Sequence, residues 1–258
     1  MNDNSWKTIF DKYHIQAHDF DNAPFAISAE MIKQATKHFT KTHEREVRIL
    51  CKQDSREQRP KIFVDHNLFL LPIRNGEYII VKGEGYVDIP EIKTATKIYV
   101  SKLDFRLDTS LIGNSEMQHL DFAYASSLIR TFLSDDSLVL TIRGRKYTPQ
   151  FSFNVNNKKI TVESVQTEVD AGYEGRDQVV LIEAKNSYTA NTIIRQLFYP
   201  FRQWQQYTSK QVNILFFEKR DSRYLLWQYE FADPNNYNSI RILKAQQYEI
   251  VFSNQQAS

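Results

Sequence analysis

Gln166-Thr-Glu-Val-Asp-Ala-Gly-Tyr-Glu-Gly-Arg-Asp-Gln-Val-Val-Leu-Ile-Glu-Ala-Lys-Asn186 decides how the chain is read. Val179 to Ile182 is an unbroken apolar run of the kind found in strands buried on both faces, yet it runs into Glu183 and Lys185. Charge at the end of a buried strand needs a partner or a task, because an unpaired ion away from water is costly. Side chains alternate along a strand, so Glu183 and Lys185 are expected on one side with the Ala184 carbonyl between them. The preceding strand is expected to end at Asp170. The segment Ala171 to Asp177 is short enough to return the chain antiparallel, bringing the Asp170 and Glu183 carboxylates together.

Two carboxylates and a backbone carbonyl are hard oxygen donors of the kind Mg²⁺ prefers, its other positions being left to water and substrate phosphate. A lysine two residues from a metal-ligating glutamate can hold the attacking water and neutralise developing charge. The expected chemistry is therefore metal-assisted phosphodiester hydrolysis. Asp170, Glu183 and Lys185 are its catalytic residues, Asp170, Glu183 and Ala184 its metal ligands, and Mg²⁺ its cofactor, with Mn²⁺ as a substitute. A second acid-plus-E-x-K pattern, Asp88-Ile-Pro-Glu-Ile-Lys93, is set aside because only Ile89 and Pro90 separate its acids, and no hairpin can present both.

Working outward, Ser115 to Leu133 is expected as one long helix and Asn191 to Tyr207 as another, kinked at Pro200. Between and after them, strands are expected at Leu138–Ile142, Gln150–Val155, Lys159–Asp170, Gln178–Lys185, Val212–Phe217, Tyr224–Phe231 and Ser239–Val251. Upstream, helices are expected at Ser5–His14, from an N-cap at Ser28 to about Phe39, and at His43–Lys52. Strands follow at Lys61–Val64, Leu68–Ile73 and Glu77–Lys82, the last two joined by an Asn75-Gly76 turn. The fold class is α/β (α+β): a central mixed sheet flanked by helices over residues 101–258, preceded by an α/β subdomain over residues 1–100. A winged-helix-like arrangement is one option for that subdomain.

Composition narrows the functional classes. The 258 residues are 41% hydrophobic and 25% charged, which is ordinary for a globular chain and excludes collagen and disorder. The 7 glycines form neither a G-x-G-x-x-G nor a P-loop pattern, which disfavours dinucleotide and P-loop enzymes. The single Cys51 cannot make an internal disulfide, and no apolar leader or bilayer-length run is present, so a soluble cytoplasmic protein without membrane contact is expected. The 6 histidines show no metal-binding spacing. A net charge of +2 conceals basic strips: residues 141–160 carry Arg143, Arg145, Lys146, Lys158 and Lys159 with no acid, and 191–220 carry five basic residues against Glu218. Arg143, Arg145, Lys146, Arg195 and Arg202 are the expected phosphate contacts, because arginine forks match phosphate geometry.

The arrangement of Asp170 with Glu183-Ala184-Lys185 resembles the signature of the PD-(D/E)XK nucleases, although Val169 stands where the proline would be. Glu46-Val-Arg-Ile-Leu-Cys-Lys-Gln-Asp, Leu71-Pro-Ile-Arg-Asn-Gly-Glu-Tyr, Ser115-Glu-Met-Gln-His-Leu-Asp, Thr141-Ile-Arg-Gly-Arg and Arg195-Gln-Leu-Phe-Tyr-Pro resemble segments of a group of type II restriction endonucleases. The resemblance implies a restriction-endonuclease-like core and sequence-specific Mg²⁺-dependent cleavage of double-stranded DNA. It further implies a homodimer, a companion DNA methyltransferase and a prokaryotic, nucleoid-accessible setting. Glu116 stands where these nucleases can supply a further metal-site carboxylate, weighed against an ordinary acid at a helix start. Glu168 and Gln166 share the strand face of Asp170 and could bind a second metal and orient a water, weighed against solvated strand residues. Two rivals accompany the resemblance: a structure-specific or repair nuclease on the same fold, and a non-catalytic DNA-binding regulator.

Overall fold

The computed structural model describes residues 2–252. The first 82 residues build α1 (Asp3–Lys12), β1 (Phe25–Ser28), α2 (Ala29–Thr36), α3 (Thr42–Arg45), α4 (Val47–Leu50), α5 (Lys61–Asp65), β2 (Leu68–Arg74) and β3 (Glu77–Lys82). Ser28 caps α2 as expected, its Oγ accepting from the Met31 N–H at 3.1 Å. Two expectations fail here. The single helix over His43–Lys52 is interrupted at Glu46, whose extended backbone separates α3 from α4. Lys61-Ile-Phe-Val is helix α5, because Pro60 opens it and its Phe63 is drawn into the core among Trp6 and Phe10.

The rest of the chain forms β4 (Tyr86–Asp88), β5 (Lys97–Val100), α6 (Glu116–Ala125), α7 (Leu128–Leu133), β6 (Val139–Tyr147), β7 (Phe151–Val155), β8 (Lys158–Val162), β9 (Gln166–Glu174) and β10 (Gln178–Lys185). It continues with β11 (Asn191–Ile193), α8 (Ile194–Trp204), β12 (Gln211–Arg220), β13 (Arg223–Phe231) and β14 (Ile240–Val251). Seven strands make one mixed sheet in the order β5-β14-β13-β12-β10-β9-β6, with β10/β12 and β14/β5 parallel and the other pairs antiparallel. Because β5 joins this sheet, the sheet draws on residues before 101. Ser127, with a φ of 64°, breaks the expected long helix into α6 and α7. Pro200 is accommodated inside α8. No helix among the described residues is long and apolar enough to cross a membrane.

Two apolar layers cover the sheet. Val179, Leu181, Ile214, Phe216 and Trp227 pack with Leu197, Phe198 and Phe201 of α8, while Val180, Ile182, Leu215 and Leu226 pack with Leu120 of α6 and Leu128 and Phe132 of α7. The hairpin β2–β3 is buried on both faces. Phe69, Leu71, Ile79 and Val81 join the α8 layer, whereas Leu68, Leu70 and Ile80 pack with α1, α2 and α5. That alternation ties the N-terminal helices to the large sheet. Trp227 is buried in the α8 layer and donates its indole N–H to the Pro90 carbonyl at 2.9 Å. Trp227→Ala is expected to cost about 3–5 kcal/mol, read as a lower urea midpoint with an unchanged slope.

Strand β9 carries an irregularity that the alternation argument does not anticipate. Its pairing with β6 runs Ile142↔Gly172 and then Gly144↔Val169, so Asp170 and Ala171 together face the single residue Arg143. This β-bulge reverses the strand's phase: Val169 packs in the α8 layer, but Ala171 and Tyr173 pack in the α6–α7 layer. Gly172 permits the close approach of β6, since a Cβ there would lie 2.6 Å from the Ile142 side chain.

Candidate active site

The chain turns between β9 and β10 over only Gly175, Arg176 and Asp177, so Tyr173 and Glu174, expected in the turn, belong to β9. The register runs Val179↔Glu174, Val180↔Tyr173, Leu181↔Gly172 and Ile182↔Ala171, which brings Asp170 beside the end of β10. There the Asp170 carboxylate accepts the backbone N–H of Ala184 at 2.7 Å. Glu183 accepts from Lys185 Nζ at 2.6 Å, and the same ammonium reaches the Ala184 carbonyl at 3.1 Å. The three side chains expected to converge do so.

Their electrostatics follow from depth. Burial lifts the Glu183 carboxyl to about 7, with Asp170 adding to the rise and Lys185 opposing it. Burial likewise raises Asp170 despite the Ala184 N–H that it accepts. For Lys185, burial pulls downward but the Glu183 carboxylate outweighs it, so the amine stays an ammonium. Two acids and one cation thus share a poorly solvated corner in which a further cation would relieve their mutual strain.

The corner is the floor of a cleft of about 960 Å³. One wall comes from α4, the loop between α4 and α5 and the β2–β3 hairpin, including Arg48, Lys52, Asp54 and Arg74. The other comes from β9, the segment after β10 and the start of α8, including Glu168, Tyr188, Arg195 and Gln196. Glu116, at the start of α6 behind the Ser115 cap, lines the cleft and is close enough to raise Lys185. Gln166 and Glu168 line it too, Glu168 paired with Arg145 at 3.2 Å. Among the described residues no three His, Cys, Asp or Glu side chains are grouped to hold a metal, so the donor set is the two carboxylates and the Ala184 carbonyl.

The basic residues divide. Arg145 and Arg195 line the cleft, Arg195 3.5 Å from Asp54. Arg143, which has no acid near it in sequence, is claimed by Asp121 of α6. Lys146 lies 6.0 Å from the centre of the Trp204 ring. Arg202 is turned away, bound by the Pro234 carbonyl and, at 3.0 Å, by the Asn235 side chain between β13 and β14. Arg143, Lys146 and Arg202 therefore do not line the cleft, because helix and loop neighbours distant in sequence engage them. The face of α8 that carries Gln196, Tyr199 and Gln203 is only partly polar. Tyr199 is buried and donates to the Pro72 carbonyl, and Gln203 is buried against Thr167. Asp54, whose charge reaches Glu183 from the opposite wall, was not singled out from the sequence, since 129 residues of chain (183 − 54) separate the two.

A family model described as domain of unknown function DUF6997 matches residues 81–249, about two thirds of the chain and all three converging side chains. The chain belongs to this family. A second model, domain of unknown function DUF6996, matches residues 3–80. No curated protein and no solved structure matches. The carboxylates and Lys185 thus lie in the DUF6997 portion, whereas Arg48, Lys52, Asp54 and Arg74 of the facing wall lie in the DUF6996 portion.

Proposed function

We propose that this protein is a Mg²⁺-dependent endonuclease of the PD-(D/E)XK type that hydrolyses double-stranded DNA at a short specific sequence, as a type II restriction endonuclease. One observation carries the reading: the Asp170 and Glu183 carboxylates and the Lys185 ammonium meet in a cleft, Asp170 from the bulge of β9 and the other two from the end of β10. A structural ion pair would not need a second carboxylate raised by burial beside it, nor an open cleft above it.

The donor chemistry fits Mg²⁺, which is commonly bound through one or two carboxylates while water and substrate phosphate complete its shell. Asp170, Glu183 and the Ala184 carbonyl are the residues that would hold it. When bound, Mg²⁺ supplies charge neutralisation at the phosphate and acidifies a coordinated water. The Ala184 N–H fixes the orientation of Asp170. Lys185, freed from Glu183, donates from Nζ to the attacking water and to the non-bridging oxygens as negative charge develops, a role suited to an amine held as an ammonium. Glu116 and Glu168 supply further carboxylate at the rim, and Arg145 and Arg195 meet the backbone phosphates. In this reading a homodimer cuts both strands, and a methyltransferase protects the host's own sites.

Digestion of sequenced linear phage DNA with Mg²⁺, followed by sequencing of the fragment ends, tests the proposal. Discrete fragments sharing one end sequence are expected. Nicking or end-dependent degradation would instead indicate a structure-specific nuclease, and binding without cleavage under any divalent metal would indicate a regulator.

A further inference from the structure

The segment after the E-x-K carries an aromatic ring that the cleavage chemistry does not use. Tyr188 lines the cleft three residues beyond Lys185 and is 59% exposed. The other large exposed aromatics, Phe105, Tyr147 and Tyr207, do not line the cleft. A ring left in water contributes nothing to the core, so its placement in the cleft calls for a partner with a flat apolar face.

The ring is also held in place. The Arg220 guanidinium lies over it at 4.6 Å, and that guanidinium is itself fixed by Glu218 at 2.7 Å and by Glu91 at 3.0 Å. Glu218 is fully buried and its other carboxylate oxygen accepts the Thr189 N–H at 3.1 Å. The segment is pinned at its ends by Asn186, which donates to the Asn114 carbonyl at 2.8 Å, and by the Ala190 carbonyl, which accepts from Ile89 at 2.9 Å. One face of Tyr188 is therefore covered by a cation that two carboxylates hold, and the ring is otherwise largely exposed in a cleft whose walls carry Arg48, Lys52, Arg74 and Arg195. The cleft lining carries six basic and six acidic side chains, so a polyanion carrying flat bases would be met by the basic ones once a cation neutralises the Asp170–Glu183 corner, and the exposed ring offers a base its π-face.

We infer that Tyr188 is a stacking platform for an unstacked nucleobase of the bound nucleic-acid strand, close to the scissile phosphate. The inference rests on the nuclease reading and adds to it a base-contacting site. It is sequence-tolerant, since every base has a π-face, and it favours DNA that is opened or distorted at the cut.

The test measures fluorescence anisotropy of a labelled single-stranded oligonucleotide, and of an oligonucleotide of the same length made of abasic sites, on the full-length chain carrying Lys185→Ala. Adding Tyr188→Ala should weaken binding of the natural oligonucleotide roughly ten- to a hundredfold, while Tyr188→Phe stays within about twofold, and neither should change binding of the abasic strand. Tyr188 is exposed, and matching circular dichroism spectra confirm that the variants fold alike. Equal binding by Tyr188→Ala and its parent, or an equal loss on the abasic strand, overturns the stacking site and leaves the nuclease reading in place. Failure of every form to bind either strand also overturns the stacking site, and the nuclease reading falls with it only if duplex DNA is neither bound nor cut.

Discussion

Lys185→Ala is expected to reduce Mg²⁺-dependent cleavage of linear phage DNA by roughly a thousandfold, while binding of the same DNA changes by less than about threefold. The asymmetry follows from the geometry. The Lys185 side chain is only 26% exposed and its Nζ touches Glu183 and the Ala184 carbonyl, so it contributes little to long-range attraction of a polyanion. Its charge matters where charge appears during reaction. Asp170→Asn and Glu183→Gln should be equally inactive, and Arg195→Ala should show the opposite pattern, weaker binding with residual chemistry. Gel assays of cleavage beside equilibrium binding separate the two classes. Full cleavage by Lys185→Ala would remove this residue, and the E-x-K assignment with it.

Glu183→Gln is expected to make the metal-free protein more stable at pH 8, by about 1–3 kcal/mol, or roughly 3–8 °C in Tm. Burial lifts this carboxyl from 4.5 to about 7 in the folded chain, so between those values the native state holds the proton that the unfolded state has lost. Stability must then fall as pH rises through that window, and the penalty is fully present above it. The raised value already includes the opposing pull of Lys185. Scanning calorimetry in EDTA at pH 4 and pH 8 should show the wild type losing ground to the variant as pH rises, with the two converging at the lower pH. Added Mg²⁺ should raise the wild-type Tm and leave Glu183→Gln nearly unmoved. A variant no more stable than wild type at pH 8 would mean that Glu183 carries no such burden.

Both expectations concern residues that could be read from sequence, and the reason is local. Asp170, Glu183 and Lys185 lie in one hairpin, where strand alternation and a short turn constrain where side chains meet. The same holds for the Ser28 and Ser115 caps and the Asn75-Gly76 turn. What could not be read depends on distant chain. Arg143 looked free because its acid, Asp121, sits 22 residues upstream on another element. Arg202 looked like a phosphate contact until the connection between β13 and β14 is folded over it. Lys61-Ile-Phe-Val has the β-branched and aromatic content of a strand, yet Phe63 is held by Trp6 and Phe10 of α1, a tertiary demand that overrides local propensity. Tyr188 carries no local signal at all, since only Arg220 and Glu218, two strands' length further on, give it a fixed face.

The bulge in β9 sets a limit on how this site can change over evolutionary time. Before it, Thr167 is anchored by a 2.7 Å hydrogen bond to Gln203 of α8; after it, Tyr173 is stacked 4.5 Å from Tyr124 of α6. Each half of the strand is clamped to a different side of the sheet, and Asp170 sits at the joint. Side-chain substitutions nearby leave the joint where it is. A one-residue insertion or deletion between Val169 and Gly172 would instead force one clamped half to turn over, carrying Asp170 away from Glu183. The strand that carries Asp170 is thus far less tolerant of a change in length than of a change in letter, and related chains that keep Asp170 beside Glu183 should keep the spacing from Thr167 to Tyr173 residue for residue.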